Sequence, residues 1–137
     1  KLMGTFRAMN EEWRFKAHEL IKKQTIELVA AMGAEATIHI DVGYPFVLNN
    51  EDLGNETISK AGEYLGEANV EETELRMGAE DFAYYSHQIP ACFFRLGAGN
   101  KAKGITSGVH TPTFNIDERA IEIGMGMMAW VGTPSAP

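Results

Sequence analysis

Apolar residues recur at helical spacing from Trp13 through Ala17, Leu20, Ile21, Leu28 and Val29 to Met32, with Lys, Gln and Glu between them. Asn10 is a good cap for such a helix, Glu11 and Glu12 suit its first turn, and Gly33 supplies its stop. Ahead of it, Leu2, Thr5 and Phe6 predict a short strand over residues 2–8. Behind it, residues 36–42 alternate strictly, with Ile38, Ile40 and Val42 on one face and His39 and Asp41 on the other. Residues 1–43 therefore predict strand, helix, strand, a βαβ unit of the length a parallel pair needs.

The pattern breaks at Gly43, Tyr44 and Pro45, and a domain boundary is expected near residues 44–50. Leu53, Ile58, Ala61 and Leu65 predict a second helix over residues 51–65, weakened by Gly54 and Gly62. Residues 69–76 are strand-like but acidic, which suits an edge strand or the approach to one. A short helix is expected over residues 79–87, and the apolar run from Ala91 to Leu96 predicts a buried strand. From Gly97 to His110 the chain reads as loop. Asp117 is expected to cap a last helix with the stripe Ala120, Ile121, Gly124, Met127, Met128 and Val131; residues 132–137 are expected to fray. No repeat is present.

Composition narrows the class. A chain of 137 residues with 45% hydrophobic content can fill a core. A net charge of −7 argues against nucleic acid as a partner, and no apolar stretch is long enough to span a bilayer. The one cysteine, Cys92, excludes an internal disulfide and fits a reducing, cytoplasmic setting; a buried strand thiol is favoured over a nucleophile. Residues 1–7 carry neither an initiator methionine nor a signal-peptide core, so a fragment of a longer protein, by design or by proteolysis, is expected.

Candidate chemistry concentrates in two stretches. His110 stands in the sequence VHTPTF, where Pro112 fixes its own φ and biases Thr111 to extended geometry, a stiff setting for a metal-ligating imidazole. A surface histidine is the competing reading. His18, His39 and His87 have no HExxH spacing and no CxxC exists, so the sequence holds no complete zinc site. Glu80 and Asp81 suit an acid–base pair or a support for a metal, or else simply favour a helix N-terminus. Arg7 suits bidentate grip of a carboxylate or is a solvated strand residue. The loop from Gly97 to Gly108 lacks the GK[ST] ending of a phosphate cradle, and the methionines near Met127 read as core filling.

Taken in order, the segments GTFR (Gly4–Arg7), GYP (Gly43–Pro45), Asn49-Asn50, MGAEDFAYY (Met77–Tyr85), IPACFFRLGAGN (Ile89–Asn100) and VHTPTFNIDE (Val109–Glu118) resemble a known family. They are similar to the C-terminal portion of the zinc-dependent amidohydrolases of the aminoacylase/carboxypeptidase superfamily, in the branch of hippurate hydrolase, N-acyl-amino-acid amidohydrolase and indole-acetyl-amino-acid hydrolase. MGAEDF with a downstream HTPxF is the specific part, and the likeness covers residues 2–131. It implies an α/β fold, truncated from a two-domain metallopeptidase-like enzyme: residues 1–44 as the second half of an α+β lid that dimerises through its sheet, residues 45–137 as the end of a catalytic α/β domain.

The resemblance further implies hydrolysis of the amide of N-acyl amino acids or small peptide-like substrates at two divalent ions, Zn or Mn. His110 would be the last metal ligand, Arg7 and Gly78 would contact substrate, Glu80 would play a supporting catalytic part, and Thr111 and Pro112 would hold the ligand loop. The family's other ligands lie upstream of the matched portion, so the chain alone is expected to be inactive and to need the upstream half as partner. The alternative expectation is a non-catalytic association module.

Overall fold

A computed structural model describes residues 1–134. The chain forms two compact units, one of residues 1–48 and 74–91, the other of residues 49–73 together with the described residues from 92 onward. Each is organised around helices.

In the first unit, α1 (Glu11–Ala31) begins where the Asn10 side chain accepts the Trp13 amide at 2.7 Å, and it ends at Met32 ahead of Gly33, whose φ of 75° is open to glycine. Its buried residues are the polar Arg14 and His18 with Ala17 between them. Arg14 is paired with Glu11 and donates to the Val42 carbonyl at 2.5 Å, while the Phe46 amide donates to Glu11 at 3.4 Å. This buried, paired guanidinium holds residues 42–46 against the start of the helix. His18 is flanked edge-on by Phe6 and Phe15.

A second tie joins residues 44–48 to the single turn α2 (Ala83–Ser86). The Leu48 amide donates to Ser86 Oγ at 3.1 Å, His87 Nε2 meets the Phe46 carbonyl at 2.7 Å, and Tyr44 packs edge-on against Tyr84. A carbonyl only accepts, so the His87 ring carries its proton on Nε2.

The second unit is a helix pair, α3 (Glu51–Leu65) and α4 (Arg119–Val131). Asn50 caps α3 through the Leu53 amide at 3.0 Å, and Asn49 exchanges two hydrogen bonds with the Phe93 backbone. Ala61, Ala120 and Met127 are buried. Gly126 lets Tyr64 approach the α4 backbone: a Cβ there would overlap Tyr64 Oη outright and lie 2.6 Å from its Cζ. The Tyr64 ring then stacks on Trp130 at 6.5 Å and 27°. No basic residue stands in the last turn of α4, and Lys60 from α3 serves in its place. Its buried ammonium donates to the carbonyls of Thr133 at 2.5 Å and Val131 at 3.3 Å and pairs with Glu56 at 2.9 Å.

Several expectations need correction. The described residues form an almost strand-free, mostly helical structure rather than the α/β arrangement read from the sequence. Residues 2–8, 36–42, 69–76 and 91–96 have no ladder; the one bridge among the described residues is Asn100 with Ile105. A helix closes its hydrogen bonds within its own segment, whereas a strand exists only beside another. Side-chain alternation persists in part: Ile38 and Ile40 are half-buried while Thr37, His39 and Asp41 are exposed, but Val42, expected on the covered face, is exposed as well.

The apolar stripe of α1 is not covered either: Trp13 is 49% and Leu28 65% exposed. Cys92 is half-buried and on no strand. The helix expected over residues 79–87 shrinks to the one turn of α2. Fraying was expected over 132–137, of which 135–137 lie outside the described residues. No helix among the described residues is long and apolar enough to cross a membrane.

Candidate functional site

His110 belongs to the second unit, in the loop that joins a tight turn at residues 100–105 to α4. It is exposed, and its φ of 63° makes it the one non-glycine residue with positive φ among the described residues. That conformation costs a β-carbon-bearing residue about 1 kcal/mol, and it persists only where neighbours over-determine it. The neighbours are identifiable. Thr111 Oγ1 donates to the Gly108 carbonyl at 2.8 Å, the Phe114 amide donates to the Thr111 carbonyl at 3.1 Å, and the hydroxyls of Ser107 and Thr113 bond to each other at 2.8 Å. The loop is braced on both sides of the imidazole, by Thr111 as expected and by Ser107 and Thr113, which the sequence reading passed over.

The loop also has an anchored base. Asn100 and Ile105 exchange two backbone hydrogen bonds of 2.9 Å, and the Asp117 amide donates to the Ala98 carbonyl at 2.8 Å. The buried Asp117 carboxylate receives Asn100 Nδ2 at 2.5 Å on one oxygen and Lys103 Nζ at 2.8 Å on the other. Those two bonds hold its pKa down at about 2, the Asn100 bond contributing most and the Lys103 bond next. Asp117 was expected to cap α4. It does reach the Arg119 amide at 3.3 Å, but Glu118 occupies the cap position and the carboxylate serves chiefly the 100–105 turn. An open depression of about 160 Å³ lies beside it, lined by Gly97, Gly99, Arg119 and Ile123 among others.

Arg7, Gly78 and Glu80 fall in the first unit. Arg7 and Gly78 are exposed and in no regular element, and Glu80 is half-buried. The main-chain carbonyls of Glu80 and Asp81 accept the amides of Ala83 and Tyr84 at 3.2 and 3.0 Å, so these acids lead the chain into α2. A one-turn helix has little macrodipole, which removes the dipole as the reason for placing acids there. No three His, Cys, Asp or Glu side chains converge on a metal-sized site among the described residues.

The profile of peptidase family M20/M25/M40 matches residues 4–131, nearly the whole chain. The chain belongs to this family. Among its relatives are two IAA-amino acid hydrolases of Arabidopsis thaliana, 32% identical over 134 residues and 28% over 134 residues, each match covering 95% of this chain. A thermostable carboxypeptidase of Saccharolobus solfataricus is 29% identical over 126 residues, covering 90% of this chain. The matches cover 29%, 30% and 31% of those proteins, so the M20 chain described here spans under a third of their length. No solved structure matches it. M20 enzymes generally carry a binuclear metal centre.

Proposed function

We propose that this chain is the C-terminal part of a metal-dependent amidohydrolase that cleaves the amide bond of N-acyl amino acids, with His110 as one metal ligand. The observation that carries the reading is the left-handed, braced conformation of His110 within the HTPTF sequence of a chain matched to the M20 family over residues 4–131. Strain kept at one exposed, metal-competent residue is more readily explained by a function than by packing.

Two divalent ions, when bound, would polarise the scissile carbonyl and lower the pKa of a water molecule. The chain's own residues then have distinct tasks. His110 offers a neutral imidazole nitrogen from a stiff loop. Arg7 receives the substrate carboxylate through its planar fork, and Gly78 leaves room for the substrate beside the Glu80 carboxylate, which supports the reacting water. In this reading residues 1–44 are the second half of a lid whose sheet pairs two subunits, and residues 45–137 the end of a cytoplasmic catalytic domain. The remaining ligands come from polypeptide outside residues 1–137, so the isolated chain does not turn over substrate.

The test is the intact parent enzyme assayed on hippurate-like substrates with and without chelator. Activity that falls on chelation and returns with Zn²⁺ or Mn²⁺ is expected, and His110→Ala is expected to abolish both metal retention and turnover. Unchanged kinetics in that variant would refute the assignment. The exposed stripe of α1 also favours self-association of the isolated chain; a clean monomer in sedimentation would exclude that second role.

A further inference from the structure

We infer that Asp117 is the positioning residue for His110: by gripping Asn100 and Lys103 it closes the base of the 106–116 loop and holds the imidazole at its tip in the left-handed conformation. The functional meaning of this inference rests on the metal-ligand reading above, but its geometry does not.

The base of the loop has two feet. One is the 100–105 turn, closed by the paired backbone bonds of Asn100 and Ile105 and capped internally by Asn100 Oδ1, which accepts the Lys103 amide at 3.2 Å. The other is the start of α4, where Asp117 donates its amide to Ala98 and accepts the Arg119 amide. The Asp117 carboxylate joins the feet through side chains, with one oxygen for Asn100 and the other for Lys103. The carboxylate is buried while Asn100 is half-buried and Lys103 half-exposed, so both bonds are charge-assisted and the one from Asn100 is the better shielded from water.

The inner braces, Thr111 to Gly108 and Ser107 to Thr113, are neutral hydroxyl bonds at exposed positions. Water competes with them, and alone they are weak restraints. A residue with φ of 63° relaxes once its loop ends separate, so the base sets the tip.

The experiment uses the 137-residue chain and nuclear magnetic resonance. The readouts are the Cα and Cβ shifts and the intraresidue NOE that mark positive φ at His110, with amide exchange at Ile105 and along α3 and α4. Asn100→Ala and Asp117→Ala are expected to erase the positive-φ signature at His110. They should speed Ile105 exchange by about tenfold or more while helix protection holds. Asp117→Asn, which can still accept from Asn100, is expected to retain the signature. His110 shifts unchanged in Asn100→Ala overturn the inference.

Should Asp117→Ala lose α4 protection altogether, Asn100→Ala and Lys103→Met, both outside α4, decide by the same signature. Metal content of the intact parent enzyme separates the two readings. Unchanged metal retention in His110→Ala of that enzyme, with a loop still governed by Asn100 and Asp117 in the 137-residue chain, supports the positioning role and counts against the metal ligand. Metal lost with His110, and a loop backbone indifferent to those substitutions, does the reverse.

Discussion

Gly126→Ala offers a sharp test of the second unit, because two rules assign it opposite signs. Alanine is the better helix former in the interior of α4, by about 0.8–1 kcal/mol. Against this stands Tyr64, whose hydroxyl occupies the place a Cβ would take and whose Cζ lies 2.6 Å from it. Tyr64 is 42% exposed and can swing outward. Doing so breaks its stack on Trp130, worth about 0.5–1.5 kcal/mol, and uncovers ring surface worth about 1–2 kcal/mol. The loss exceeds the gain. Gly126→Ala is expected to destabilise by about 1–2 kcal/mol.

The diagnostic is a reversal of sign. With Tyr64→Ala already in place the obstruction is gone, and Gly126→Ala should stabilise by about 0.8–1 kcal/mol. Urea unfolding followed by circular dichroism, with the slope checked for constancy, measures all four corners of the cycle. Equal stabilisation by Gly126→Ala in both backgrounds would show that Tyr64 does not sit against α4, and the packing described for this unit would fall.

Two further outcomes follow from the same unit. Lys60→Met keeps the aliphatic stem but leaves the Thr133 and Val131 carbonyls without their donor, and should cost about 1.5–3 kcal/mol by urea unfolding; a change below about 0.5 kcal/mol contradicts the buried ammonium. Asp117 has its pKa lowered from 3.8 to about 2 by Asn100 and Lys103. A depressed folded pKa means the unfolded chain takes up the proton first, so the stabilisation is present above about pH 4 and lost as pH falls towards 2. The stability gap between the unsubstituted chain and Asp117→Asn should therefore close over that interval, and a gap that stays constant from pH 5 to 2 removes the charge from the explanation.

What the sequence made legible follows from how far apart the interacting residues lie. Asn10 with Trp13 and Asn50 with Leu53 are contacts within one helical turn, and α1 and α3 lie close to where the pattern puts them. The bonds that shape the His110 loop span longer separations. Asn100, Lys103 and Asp117 form a triad only after the chain has turned back on itself, so Asp117 read as a mere cap. The signal available was modest: an Asn three residues before Lys103, whose amide it accepts, in a turn ending at Gly104 with φ of 71°. Likewise Arg14 read as an ordinary polar residue of α1 and is buried because Glu11 and the Val42 carbonyl both engage it.

The missing strands and the bare stripe on α1 are one physical fact. The sequence of residues 36–42 has the alternation of a strand with one face to bury, of which Ile38 and Ile40 are half-buried and Val42 is exposed, and Trp13, Leu20, Ile21 and Leu28 have the spacing of a helix that covers a sheet. Neither pattern is satisfied by what the described residues provide. A helix lying on a sheet needs at least two paired strands beneath it, and residues 2–8 and 36–42 pair with nothing among the described residues. The α1–Val42 tie through Arg14 already sets one edge of that layer, so the surface is partly organised rather than shapeless. If polypeptide from the rest of an M20 enzyme completed the layer, amide exchange along residues 36–42 would slow and Trp13 fluorescence would shift to the blue. If neither changed in the intact enzyme, the alternation would be an accident of composition and the lid assignment of residues 1–44 would lose its physical basis.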